Sequence, residues 1–369
     1  MMSKPVRIAC ASALSAVLAF NPLAAFACTS FLLKAENGDV VYGRTLEFAL
    51  PINSQLMVMP RNMPIKAAGP DGTAGTGLAY TSKYGTTGAN GLGLPLFVDG
   101  INEKGLSASM LFFPGFAEFQ DVSPAEAANS IASYEMATYI LTQFANVDEV
   151  KAGMPKIKVS RAPQVVFKGP IPLHVSVHDA SGRSIVIEYV GGQLQITDNP
   201  TSVMTNSPPI SWHLNNLGNY GNATAQASTA FIINGKTYTP ASTGAGMNGL
   251  PGDLSAAARF VRAAFLKANA PNTKTGAEAM GIAWHFVNQF DIPPGAVRTA
   301  EGGNAGGGVA GYEITEWSSV ADLKNGIYQI KTYDDQQVRQ INLKAVDLDA
   351  KAIRFIPLNQ KLGPLDLSK

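Results

Sequence analysis

From position 28 onward, short apolar runs alternate with turn signals at the period of two expected for strands. Residues 28–35 and 40–48 flank Glu36-Asn37-Gly38-Asp39, an Asn-Gly hairpin signature. A two-residue loop that pairs Glu36 with Asp39 sets Glu47 opposite Cys28. A second hairpin is expected from residues 94–100 through Asn102-Glu103-Lys104-Gly105 to residues 106–113. Residues 173–178, 184–189 and 193–197 form a meander with turns at Ala180-Ser181-Gly182 and Gly191-Gly192, and residues 328–333 and 338–343 give two later strands.

Helices interrupt these strands. Ser123-Pro124-Ala125-Glu126 is a capping box with proline at the first helical position, and an apolar stripe runs on to residue 144. Thr275-Gly276-Ala277-Glu278 repeats the device before a helix to residue 289. Asp253 can cap a third helix that buries Phe260, Val261 and Phe265. Antiparallel strand groups with helices between them predict an α+β sandwich of sheets covered by helices. No linker, repeat or charge block divides residues 28–369, which read as one domain. The run Gly302–Gly308 lacks the Lys-Ser/Thr of a phosphate loop and reads as a flexible loop.

The first 27 residues have a different character. Lys4 and Arg7 precede an apolar stretch over residues 8–20, and Ala25-Phe26-Ala27 has the small-x-small form of a cleavage site. Residues 1–27 are therefore expected to be a secretory signal, and the protein to be exported, periplasmic or secreted. Cleavage there removes two basic residues and no acidic one, which takes a balance of 28 basic and 27 acidic side chains to a net −1. So little net charge argues against nucleic acid or an anionic membrane surface as partner. With 46% hydrophobic and 15% charged residues, the chain can build a core. After the signal, no apolar run approaches the roughly 18 residues of a spanning helix.

The chain has two cysteines, Cys10 and Cys28. Loss of the signal leaves one thiol, no internal disulfide, and that thiol on the first residue. An α-amine titrating near about 8 is a plausible base for its own thiol near about 8.5. The four histidines form no convincing site: His174 and His178 are about 13 Å apart along a strand, too far for one metal ion. Glu47, opposite Cys28, could hold the terminal amine, and Arg44 could favour thiolate. A regular strand points residues 44 and 47 to opposite faces, so both roles need a bulge or strand end near Thr45-Leu46. Arg44 and Glu47 could equally be a solvated pair on a hairpin. Cys28 has a rival reading as a lipidated residue of a non-catalytic binding protein, but Ala25 and Phe26 fit a lipoprotein signal poorly.

Cys28-Thr29-Ser30-Phe31 with Tyr42-Gly43-Arg44-Thr45-Leu46-Glu47-Phe48 resembles the opening of the choloylglycine hydrolase and penicillin V acylase family, N-terminal-nucleophile amidohydrolases. The resemblance continues in Asp99-Gly100-Ile101-Asn102-Glu103-Lys104-Gly105-Leu106, in residues 179–188, in Met204-Thr205-Asn206-Ser207-Pro208, and from Leu250-Pro251-Gly252-Asp253 to Arg259-Phe260. It implies a four-layer αββα sandwich, Cys28 as nucleophile, Arg44 as its charged neighbour, Asn206 as oxyanion donor and Arg259 as a second cation. Two positions depart from the family pattern: Glu47 stands where aspartate is usual, and Phe112 where relatives carry tyrosine or asparagine. Phenylalanine cannot donate a hydrogen bond, so a backbone N–H must serve there. Phe48, Phe112 and Phe113 are candidates for an acyl pocket, or simply core. The resemblance further implies hydrolysis of a small-molecule N-acyl amide (a penicillin, a conjugated bile salt or an acyl-homoserine lactone), no metal or organic cofactor, and assembly as a tetramer.

Overall fold

A computed structural model describes residues 27–298, 311–358 and 366–368. Residues 1–26 of the expected signal and the Gly302–Gly308 run lie outside the described residues. The strands that build the two large sheets are β1 (Cys28–Lys34), β2 (Val40–Phe48), β3 (Gln55–Met59), β4 (Thr86–Asn90), β5 (Phe97–Asn102), β6 (Leu106–Phe112) and β7 (Leu173–Asp179). They continue with β8 (Ser184–Val190), β9 (Gln193–Asp198), β10 (Val203–Met204), β11 (Tyr312–Asp322), β12 (Ile327–Thr332), β13 (Arg339–Asn342) and β14 (Arg354–Pro357). Three helices matter here: α1 (Met136–Gln143), α2 (Ala256–Ala268) and α3 (Gly276–Val287).

One sheet runs β10-β1-β2-β11-β12-β13, and the other β9-β8-β7-β6-β5-β4-β3-β14. Within each, the paired strands are antiparallel. Helices α2 and α3 cover the outer face of the first sheet, and α1 packs on β5 and β6 of the second. The expected α+β sandwich is thus present, with helix layers outside and two sheets facing each other.

The opening hairpin forms, but its register differs from the expected one. The loop takes three residues, closed by Gly38 N–H donating to Ala35 O at 3.0 Å and Ala35 N–H donating to Asp39 O at 2.9 Å. Gly38 adopts φ +81°, the left-handed position that such a loop reserves for glycine. Cys28 therefore lies opposite Leu46 rather than Glu47. A one-residue slip exchanges every side chain between faces, and the site depends on it. Gly43 is also required: a Cβ there would come within 2.5 Å of the Phe31 ring, which packs across the strand against Phe286 of α3.

Of the two caps read for the later helices, the Thr275 cap is in place and the Asp253 cap is replaced by a neighbour. Thr275 caps α3, its side chain accepting from Glu278 N–H, and the buried Asp39 carboxylate accepts from Gly276 N–H at 3.0 Å. That bond ties the helix to the opening hairpin. Helix α2 is capped by Ser255 instead of Asp253, whose carboxylate accepts from Ser255 N–H; Phe260 and Val261 are buried and Phe265 is half-buried.

The long helix expected over 124–144 is not formed. Pro124–Asn129 is a 3-10 turn, Ser130–Ala132 is a strand paired in parallel with Lys158–Ser160, and α1 begins at Met136. The break is made by side chains that serve tertiary partners: Ser133 Oγ donates to Ile171 O, and the Glu135 carboxylate accepts from Ala132 and Ala68 N–H.

Between the sheets, apolar packing is interrupted by a polar strip. His178 of β7 is fully buried, its Nε2 3.4 Å from Ser30 Oγ and 3.2 Å from Ser176 Oγ. Burial presses its pKa down to about 3, so the folded protein holds it neutral. A histidine depressed in this way contributes stability that is present above its unfolded value near 6.5 and lost as the pH falls toward 3. Urea unfolding at pH 7 and pH 4.5 should therefore show a loss of roughly 2.5 kcal/mol attributable to this residue. The His178→Gln variant should show a flatter dependence over the same interval.

Candidate active site

Antiparallel pairing places Cys28, Ser30, Arg44 and Leu46 on the inner face of the first sheet. Thr29, Thr45 and Glu47 point the other way, toward the helices. Arg44 and Glu47 do diverge, as a regular strand requires, and no bulge interrupts the β1–β2 ladder. The irregularity is on the neighbouring strand: the β2–β11 register shifts between Thr315 and Trp317, opposite Glu47 and Leu46. Without it, Trp317 would share a face with Thr315. With it, Thr315 faces the helices and donates to Glu47 Oε1 at 3.2 Å, while the Trp317 ring turns inward under Arg44, 5.1 Å from Cζ to the ring centroid. Bulges re-aim side chains in this manner.

Arg44 is wholly buried. Its Nη2 lies 3.9 Å from Cys28 Sγ and also donates to Met110 O; its Nη1 donates to Val98 O at 2.9 Å and lies 3.5 Å from Asp99 Oδ1. Burial works against its charge, but Asp99 and the Cys28 sulfur outweigh that and raise its pKa. Burial pushes the Cys28 thiol up, with Arg44 pulling it back toward thiolate.

On the helix side, Arg259 of α2 gathers the main chain. Its Nη1 donates to Cys28 O and to Thr29 Oγ1, its Nη2 donates to Asn206 Oδ1 at 2.8 Å, and its Nε to Leu254 O. Asn206 accepts from Cys28 N–H at 2.7 Å on the same Oδ1, and its Nδ2 donates to Phe112 O at 2.8 Å. The Asn206 amide is thus locked between the Cys28 nitrogen and the strand that carries Phe112.

Two histidines hold that asparagine in turn. His213 Nε2 donates to Asn206 O and His174 Nε2 to Thr205 O, each at 2.9 Å. Burial presses His213 down to about 4, which keeps it a neutral donor. Both histidines are structural, as the sequence suggested, but what they position is the site.

Ala27 remains attached, so the Cys28 nitrogen is here a peptide N–H. Ala27 N–H donates to Glu313 Oε1, and Ala27 O accepts from Glu47 N–H at 2.9 Å. Glu47 and Glu313 form a buried acidic pair. Burial raises Glu47 to about 8 and Glu313 to about 7, with Arg259 opposing both shifts. Among the described residues, Glu47 Oε2 has no hydrogen-bond partner.

Cys28 also belongs to the wall of an apolar cleft. Leu46, Phe48, Met110, Phe112, Phe167 and Leu173 line it, and its other described walls include Tyr134 and Gln164 but no charged side chain. Phe48 packs edge-on against Phe112 and Phe167, with centroids 6.3 and 5.8 Å apart. Phe113 is a correction: strand alternation turns it away from the cleft, where its ring stacks on His174 at 4.4 Å.

A buried thiol, two buried arginines and an asparagine thus lie together beside an uncharged cleft on an αββα sandwich. The chain belongs to the family of linear amide C–N hydrolases, choloylglycine hydrolase family, whose model matches residues 28–355. It is 29% identical over 341 residues to the bile salt hydrolase/transferase of Clostridium perfringens, covering 91% of this chain and 98% of the relative. It is 32% identical over 379 residues to the penicillin V acylase of Pectobacterium atrosepticum, covering 97% and 90%. Among solved structures, a variant of the conjugated bile acid hydrolase from C. perfringens superposes with a TM-score of 0.80 at 27% identity, covering 92% of this chain and 99% of the other. The penicillin V acylase of Agrobacterium tumefaciens gives 0.72 at 25% identity, covering 90% and 94%. The chain is an amide hydrolase with the fold of these enzymes.

Sequence reasoning missed Asp99, Glu313, Trp317 and the two positioning histidines as parts of the site. Asp99 stood in a quoted motif; Glu313 and Trp317 carried no local signal, because a bulge on β11 decides which way each side of that strand faces. If Phe48 and Phe112 form the acyl wall, Phe48→Ala and Phe112→Ala should each raise KM for an apolar N-acyl amide more than they lower kcat. Each should also cost roughly 3–5 kcal/mol of stability for the lost packing, read by urea unfolding.

Proposed function

We propose that residues 1–27 are removed on export and that Cys28 then acts as an N-terminal nucleophile on linear amides with an apolar acyl group. The carrying observation is the position of Cys28: its sulfur stands 3.9 Å from a buried arginine at the wall of an uncharged cleft, while its nitrogen is already held by Asn206.

The chemistry follows from the freed residue. The α-amine takes the thiol proton as Sγ attacks the amide carbonyl. Arg44 favours the developing thiolate. The second hydrogen of Asn206 Nδ2, beyond the one given to Phe112 O, and a backbone N–H stabilise the oxyanion; the backbone donor stands in for the side chain that Phe112 lacks. The amine returns its proton to the leaving nitrogen, the C–N bond breaks, and a thioester remains on Cys28. Water, deprotonated by the same amine, cleaves the thioester and restores the thiol. Arg259 holds the Cys28 carbonyl and Asn206 in place throughout, and the open Oε2 of Glu47 gives the ammonium form a partner on the helix side.

Three phenylalanine rings converge in the cleft, which supports an aromatic acyl group and a penicillin V acylase type of activity. Conjugated bile salts and acyl-homoserine lactones share the design of an apolar body joined to an amide. A hydrolysis panel of penicillin V, glycocholate and acyl-homoserine lactones is expected to give the highest kcat/KM with penicillin V; a clear preference for another member would replace that assignment.

Cys28→Ser should lower turnover by at least 100-fold, on the order of a lost nucleophile, with an unchanged melting temperature. Near-normal turnover in that variant, with processing verified, would remove Cys28 from the mechanism. Intact mass of the purified protein is expected to match an unmodified chain beginning at Cys28. A lipid adduct on Cys28, or a different first residue, would overturn the maturation.

A further inference from the structure

The charge of Arg44 is balanced by a carboxylate that the steps above do not use. Asp99 of β5 is fully buried, and its contact with the guanidinium is single and long, Oδ1 to Nη1 at 3.5 Å. A carboxylate whose main partner was that arginine would be expected to take the shorter, two-point geometry of such pairs. Instead, four hydroxyls converge on it. Tyr42, Ser319 and Tyr328 donate to Oδ2 at 2.8, 2.8 and 2.7 Å, and Ser109 donates to Oδ1 at 2.5 Å. The donors come from β2, β11, β12 and β6, so both sheets contribute. Burial, with the Asp99 charge adding to it, lifts both tyrosines well above their ordinary pKa and keeps them protonated as donors.

The guanidinium is fixed independently by the carbonyls of Val98 and Met110 and by the Trp317 ring. Removing the Asp99 charge would therefore leave Arg44 in place and change what it offers the sulfur. We propose that Asp99 is a positioning residue for Cys28 acting through Arg44: the hydroxyl cage draws the carboxylate's charge away from the guanidinium and so sets how much of that cation's field reaches the sulfur. This rests on Cys28 being the nucleophile. Around the sulfur, the other charged groups are Glu47 on the helix-facing side of β2, Arg259 on α2 and, next to Glu47, Glu313 on β11; in the processed protein the terminal amine joins them.

Two substitutions should move the sulfur in opposite directions. Asp99→Asn frees Arg44 from its anion, so the thiolate is favoured and the pH midpoint for alkylation of Cys28 by iodoacetamide should fall by about 1 unit. Tyr328→Phe withdraws one donor, returns carboxylate charge to Arg44, and should raise that midpoint by several tenths of a unit. Alkylation of the processed protein is followed at Cys28 by peptide mass spectrometry. In both variants kcat should fall with KM little changed, because the acyl cleft is untouched. A purely structural role predicts lower melting temperatures with unmoved midpoints, and that result, or midpoints moving in the same direction, overturns the proposal. Should Asp99→Asn fail to fold, Tyr328→Phe and Ser319→Ala must both raise the midpoint, and a failure of either to do so overturns it. Alkylation needs no amide substrate: full turnover by Cys28→Ser would reject the nucleophile, whereas unmoved midpoints would reject only the cage.

Discussion

A guanidinium with no access to water needs partners in place of its lost hydration, and much of the interior is arranged around that need at Arg44. Desolvating a charge costs several kcal/mol unless carbonyls, anions or aromatic faces replace the lost hydration. Here two backbone carbonyls, a ring and a carboxylate do so for the two Nη groups, Nη2 is also directed at Cys28 Sγ, and Nε has no hydrogen-bond partner among the described residues. The partners come from β1, β5, β6 and β11. The two sheets are thus joined through one cation as well as through apolar packing.

The second arginine works differently. Arg259 reaches from a helix on the outer face and touches the main chain of Cys28 rather than its sulfur. One cation therefore contacts the sulfur and the other the backbone that presents it, although the charge of both pulls the thiol toward thiolate. The acidic pair Glu47 and Glu313 lies on the Arg259 side, so the thiol meets a cation while the nitrogen side meets carboxyls. This separation suits the role proposed for Cys28, in which one residue carries both nucleophile and base.

Much of the architecture was legible because it is locally encoded. The opening hairpin, the meander after residue 173 and the Thr275 cap each depend on a few neighbouring residues, and each formed, the hairpin with a loop one residue longer than expected. The helix expected across 124–144 broke because Ser133 and Glu135 serve partners far away in sequence, which overrides a good apolar stripe. Central strand β11 went unread, although it borders β2 along nearly its whole length. In the site, Cys28 and Arg44 were legible from the residues themselves and Asn206 and Arg259 through motif resemblance, and the fold brings the four together. Asp99 was quoted in a motif but given no role, since one aspartate in a hairpin says nothing about four hydroxyls from other strands.

The sequence by itself determined the alternation of strands and capped helices, the cysteine that export would bare, and the family to which its ordered motifs point. Those are properties of residue order and of side chains close along the chain. Tertiary structure decided which residues face the sulfur. A loop one residue longer than expected turned Glu47 away from Cys28 and brought Arg44 to it, and a bulge on β11 turned Trp317 inward beneath that arginine. A strand has only two faces, so one residue of slip inverts every assignment along it, and turn closure and cross-sheet packing fix that choice.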